Sequence, residues 1–151
     1  RRALAKVVAQ VEDAKARGGR VLVGGSTHSE MAHAFQPTLI VDAPHDALIH
    51  QEETFGPVAS LIPFDTEAEA ISLANATEYG LVAYVVTRDG ARMMRLSRAL
   101  EFGMVAINRV KITGGPIPFG GWKQSGIGRE GSRHGLEAFT ELKYLCIDTA
   151  A

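Results

Sequence analysis

Val58-Ala59-Ser60-Leu61-Ile62-Pro63-Phe64, Leu81-Val82-Ala83-Tyr84-Val85-Val86 and Met104-Val105-Ala106-Ile107 are three short, nearly continuous apolar runs. Two stretches of helical character separate them. Thr66-Glu67-Ala68-Glu69 has the form of a capping box, a hydroxyl residue with a glutamate three positions on, and opens a helix expected to reach about Asn75. Asp89 is placed to cap the next helix, whose buried face is marked by Met93, Leu96 and Leu100 and which Gly103 stops. Met93 and Met94 read as core filler. Apolar runs alternating with helices are the signature of βαβ crossovers. They predict an α/β fold whose parallel sheet is covered by helices on both faces, in three layers.

Immediately upstream stands Gln51-Glu52-Glu53-Thr54-Phe55-Gly56-Pro57. Gly56-Pro57 forces a bend, glycine through backbone angles closed to other residues and proline through its fixed φ. A carboxylate held in one direction can set two oxygens against the two hydroxyls of a sugar diol. An aromatic two positions on can rest its face on a flat heterocycle. In an extended segment Glu53 and Phe55 would share one side. The same residues also fit an acidic turn leading into a buried strand. Further back, Leu4, Val7, Val8, Val11 and Ala14 mark an amphipathic helix stopped by Gly18-Gly19. Val21-Leu22-Val23 reads as a short buried strand, residues 26–34 as a loop, and Phe35 to Val41 as a strand broken at Pro37. The chain opens on Arg1-Arg2-Ala3-Leu4, already in helical phase and without methionine, and reads as the continuation of something longer.

With 151 residues, 46% hydrophobic and 22% charged, the chain has the makeup of one ordered globular domain. A net charge of −1 offers no electrostatic case for nucleic acid or an anionic membrane. No apolar run is long enough to span a bilayer, and no signal-peptide pattern opens the chain. Cys146 is the single cysteine; it excludes an intrachain disulfide and fits a reducing, cytoplasmic setting. It lies between Leu145 and Ile147, where a buried thiol would be inert. The five histidines read as surface residues, with no metal-ligand spacing among them.

Residues 109–133 form a second informative stretch, dense in glycine, that leaves the end of the third apolar run. Ligands of open parallel sheets gather beyond such strand ends. Gly126-x-Gly128-x-x-Gly131 matches the dinucleotide fingerprint, yet it follows a polar loop and not a buried strand. Its glycines are therefore read as turn residues, not as a phosphate cradle.

Three spaced blocks now carry a family resemblance. Glu52-Glu53-Thr54-Phe55-Gly56-Pro57 resembles the Glu-Glu-x-Phe-Gly-Pro signature of the aldehyde dehydrogenases. Asn75-x-x-x-Tyr79-Gly80-Leu81 and Pro118-Phe119-Gly120-Gly121-x-Lys123-x-Ser125-Gly126-x-Gly128-Arg129-Glu130 are similar to later blocks of that family. The closing Gly131-Ser132-x-x-Gly135-Leu136-Glu137 and Lys143-Tyr144-Leu145-Cys146-Ile147 most resemble its succinate-semialdehyde branch.

The resemblance implies that residues 1–138 are the C-terminal part of a catalytic domain and residues 139–151 a strand-forming arm that pairs with a partner subunit in a homo-oligomer. It implies that Glu53 holds the ribose and Phe55 the nicotinamide of NAD or NADP, with Phe119 beside the aldehyde and Thr113 against the far carboxylate of a short semialdehyde. Arg109 and Lys111 supply nearby cations, or stand as solvated loop charges. Arg129 and Glu141 could brace the arm as an ion pair, or be two separate charges. Family chemistry uses a cysteine thiolate and a glutamate-activated water. Both fall before the part matched here, so this chain contributes no catalytic residue. The alternative is a non-catalytic oligomerisation or nucleotide-binding module derived from the same fold.

Overall fold

Helix α1, Arg2–Ala16, organises the first part of the protein in the computed structural model, which describes residues 1–149. Its helical spacing buries Val7, Val11 and Ala14, and the polar Gln10 with them. The helix ends where Gly18 takes φ +97°, a conformation that costs glycine nothing. Strand β1, Arg20–Val23, leads through an irregular stretch to β2, Thr38–Val41, and the two pair antiparallel. No crossover helix intervenes, and the chain doubles back. A connection of similar length, residues 42–57, follows β2. It carries the short helix α2, Leu48–Gln51, and delivers β3, Val58–Leu61, parallel to β2 with Thr38 opposite Val58.

The sheet β1-β2-β3 is thus mixed, which corrects the expectation of purely parallel pairing. β1 forms its edge, so Leu22 and Val23 are exposed and not buried. β2 starts only after Pro37, because proline has no N–H to give to a ladder. Ile40 packs on Val7, Val11 and Ala14, with Phe35, Ile49 and Val58 against the cluster.

The chain folds as two compact units, Arg1–Thr66 and Glu67–Ala151, at a boundary that no Gly/Ser- or Pro-rich linker marks. In the second unit α3, Glu67–Asn75, begins directly after Thr66, the cap residue expected from sequence. Strand β4, Tyr79–Gly80, is followed by β5, Val82–Val85, α4, Gly90–Ala99, and β6, Met104–Ile107. β5 and β6 are parallel, joined by α4 as the alternation predicts. The Asp89 carboxylate accepts from the N–H groups of Ala91 at 2.9 Å and Arg92 at 3.1 Å. Met93 and Leu96 are half-buried and Leu100 is buried, but Met94 is exposed and fills no core. Strand β7, Trp122–Lys123, pairs antiparallel with β4, and a 3-10 helix, Arg133–Phe139, follows.

Residues 140–149 carry no strand within this single chain, and the ladder expected of the arm is one with a partner subunit. A strand is defined by a ladder, and within the described residues this segment has no ladder partner. Residues 150 and 151 of that expected arm lie outside the described residues.

The two helices of the second unit are tied by Glu67, whose carboxylate accepts from Arg95 at 2.7 and 2.8 Å and from Arg92 at 3.0 Å. The Arg95 hydrogen bonds, then that of Arg92, hold Glu67 down from an ordinary 4.5 to about 2. The folded state therefore favours the charged form. Its stabilising contribution is full above 4.5 and is lost as pH falls toward about 2. Melting temperature is expected to decline through that window, and Glu67→Gln to flatten the decline; equal slopes in both proteins would refute the assignment.

Candidate functional site

Residues 52–58 cross the α1 side of the first unit and are tied down at both ends. The Glu52 N–H donates to the Leu48 carbonyl at 2.9 Å, and the Glu52 carbonyl accepts from Gln10 Nε2 at 3.4 Å. At the other end the Thr38 N–H donates to the Pro57 carbonyl at 2.8 Å. Between these anchors Glu53 and Phe55 are exposed, Phe55 at 86%.

Two details differ from the sequence expectation. Positive φ falls on Phe55, at +48°, and not on Gly56. An aromatic in that region is strained, and the turn breaks the strict alternation that would set Glu53 and Phe55 on one side. Gly56 is required for space: a Cβ there would lie 2.5 Å from Val7 Cγ2. The bend thus exists because the backbone must pass close over helix α1.

In the second unit the two later sequence blocks meet. Gly80 N–H donates to Ser125 Oγ at 3.0 Å, and Tyr79-Gly80 pairs with Trp122-Lys123. Lys123 takes φ +54° and sends its ammonium to the carbonyls of Asn75 at 3.0 Å and Thr77 at 3.1 Å, and to the Glu101 carboxylate at 2.7 Å. Three donors meet three acceptors, and the cation sits at the C-terminal end of α3, where the helix dipole favours it. The Asn75 side chain completes the knot, donating to the Ala99 carbonyl and accepting from the Glu101 N–H, both at 2.9 Å. The family resemblance singles out Asn75, Tyr79, Gly80, Lys123 and Ser125 without disclosing that they bind one another.

The knot seats the glycine-rich loop. Phe119 and Glu130 exchange backbone hydrogen bonds at 2.9 and 2.7 Å. Arg129 donates to the carbonyls of Gly121 at 3.0 Å and Gly128 at 2.6 Å. It makes no ion pair with Glu141 among the described residues. Gly126, Gly128 and Gly131 take φ of +114°, +83° and +66°, turning the chain as read from the sequence.

Phe119 is half-buried and lines a groove of about 570 Å³ with Leu81, Leu136 and Phe139. A second hollow of about 410 Å³ is lined by residues 103–107 with Arg109, Lys111, Ile112, Ile117 and Pro118. Arg109 donates through Nε to the Lys111 carbonyl at 2.6 Å, which leaves the rest of its fork available. Thr113 is exposed and lines neither hollow.

Other expectations need correction. Cys146 is exposed, not buried, as are its neighbours Leu145 and Ile147. His50 is half-buried with its ring 6.0 Å from His45; burial, then the neighbouring His45, lowers its pKa. Among the described residues no His, Cys, Asp and Glu group is arranged to hold a metal ion, and no helix is long and apolar enough to cross a membrane.

Residues 1–145 match the aldehyde dehydrogenase family, and the chain belongs to it. It is 49% identical over 146 residues to the NADP(+) succinate-semialdehyde dehydrogenase of Escherichia coli strain K12, covering 97% of this chain and 30% of that relative. It is likewise 49% identical over 146 residues to a glutarate-semialdehyde dehydrogenase of Pseudomonas putida, with 97% and 30% covered. A crystal structure of an E. coli NADP dependent enzyme superposes with a TM-score of 0.93 at 49% identity, over 97% of this chain and 30% of that one. The chain spans about 30% of the length of these relatives.

Proposed function

We propose that this chain is the C-terminal portion of an NAD(P)-dependent aldehyde dehydrogenase that oxidises succinate semialdehyde, or a similar short semialdehyde, to the carboxylic acid. The observation that carries the reading is the turn at 52–58, anchored at both ends while Glu53 and Phe55 stay open to solvent. These residues fit a nicotinamide nucleotide: a carboxylate offers acceptors only, as a ribose diol requires, and the adjoining aromatic offers a face to the ring. Bound there, the cofactor would take up the hydride released as aldehyde becomes acid. The part played by this chain is to hold and orient. The nucleophile and general base lie outside it in this reading, and Cys146 serves as neither.

Phe119 would form one wall of the aldehyde site. Thr113 would offer its hydroxyl to the distant carboxylate, with Arg109 and Lys111 adding positive charge. A substrate with a carboxylate at its far end is supported by the two semialdehyde dehydrogenases to which the chain is similar. Residues 139–151 would act as an arm between subunits. Leu142, Tyr144, Leu145 and Ile147 are 70% or more exposed, a run of apolar surface that a second copy would cover. The partners in this reading are an aldehyde and copies of the same protein, in the cytoplasm, without nucleic acid or membrane.

The test is an assay of the full-length gene product with succinate semialdehyde and butanal, each with NAD+ and NADP+. Strong preference for the semialdehyde is expected, and no turnover from the 151-residue chain alone. Equal use of the two aldehydes would remove the carboxylate site; cofactor reduction by the isolated chain would refute the division of labour.

A further inference from the structure

We infer that Gln10 is a positioning residue for Glu53, an inference that rests on the proposed role of Glu53 at the nicotinamide ribose. Gln10 is 1% exposed and lies on the same face of α1 as Val7, Val11 and Ala14. Its Nε2 donates to the Glu52 carbonyl at 3.4 Å, while its Oε1 is buried with no partner among the described residues. The amide must face this way, since exchanging its two ends would set oxygen against oxygen.

A buried acceptor without a partner is a net cost to folding. Methionine, unbranched and of similar length, would fill the same space without that cost. What glutamine supplies and methionine does not is a grip on the Glu52 oxygen. The peptide joining Glu52 to Glu53 is planar, so holding its oxygen also holds the nitrogen from which Glu53 starts. The preceding peptide is held by the Glu52 N–H on Leu48, and beyond Glu53 the chain is pressed by Gly56 onto Val7, one helical turn from Gln10. Glu53 is thereby suspended between two fixed points, of which Gln10 is the nearer. The Lys6–Glu52 ion pair, 3.6 Å between exposed side chains, is too solvated to do the same.

Gln10→Met and Glu53→Gln in the full-length protein test this by calorimetric titration of NAD+ and NADP+ without aldehyde, together with aldehyde KM and melting temperature. For Gln10→Met the cofactor Kd is expected to rise about fivefold, the equivalent of one net hydrogen bond, with aldehyde KM unchanged and melting temperature unchanged or higher. An unchanged Kd in Gln10→Met beside a weakened Glu53→Gln overturns the positioning role and leaves the role of Glu53 standing. Unchanged Kd in both overturns the role of Glu53 and this inference with it. A fall in melting temperature with parallel losses for cofactor and aldehyde makes Gln10 a packing residue only and overturns the inference. If the methionine variant does not fold, Gln10→His keeps an N–H donor: retained affinity supports the donor role, and a loss as large as that of Glu53→Gln overturns it.

Discussion

Gly103→Ala is expected to destabilise the second unit by about 3 kcal/mol, the upper end of what overpacking costs. A Cβ at Gly103 would run into the Gly120 carbonyl oxygen and stand 2.8 Å from the Gly121 Cα. Both obstacles are backbone, so no side chain can turn aside. Gly103 cannot retreat either, since its own N–H donates to the Gly80 carbonyl at 2.9 Å. The strain would pass to the loop around Phe119, and thermal unfolding of the full-length protein should show a lowered transition. Gly90→Ala is the control. Nothing lies within 4 Å of a Cβ at Gly90, its φ is ordinary, and it opens α4, so alanine should be neutral or stabilising by about 0.5–1 kcal/mol. Similar melting temperatures for the two variants would show that the glycine loop is not seated against Gly103.

Glu53→Gln is expected to weaken NAD+ or NADP+ binding by about tenfold to a hundredfold, since hydrogen bonds to a charged acceptor contribute about 1.5–3 kcal/mol. An amide keeps the shape but presents one oxygen and two N–H groups where the ribose diol needs two acceptors. Stability should hardly change. Glu53 is exposed, and its side chain makes no hydrogen bond or ion pair among the described residues. Substitutions at such positions fall within about 0.5 kcal/mol. That combination separates a binding residue from a structural one. A loss of melting temperature with intact cofactor affinity would point to the acidic-turn reading of the segment.

Helices α1, α3 and α4 and the strands around them were legible in the chain because apolar periodicity, caps and glycine stops are local properties. The Asp89 cap and the end of α1 at Gly18 fall where the residues place them. The family, too, is carried by local blocks, since a motif is a string. Pairing direction at β1 and β2 was not legible in the same way: it depends on whether a connection crosses over or doubles back, and the 24–37 stretch does not declare which. Nor was it legible that Lys123 reaches 48 residues back to close the end of α3, or that Gly56 is small because Val7 lies beneath it. A sequence orders side chains along one dimension, whereas a buried glutamine under Glu52, or a carbonyl facing Gly103, is a coincidence in three. The residue types offered at the candidate site were therefore determined by the chain alone; which groups hold them in place was decided only by tertiary packing, where distant backbones come close enough to exclude a Cβ.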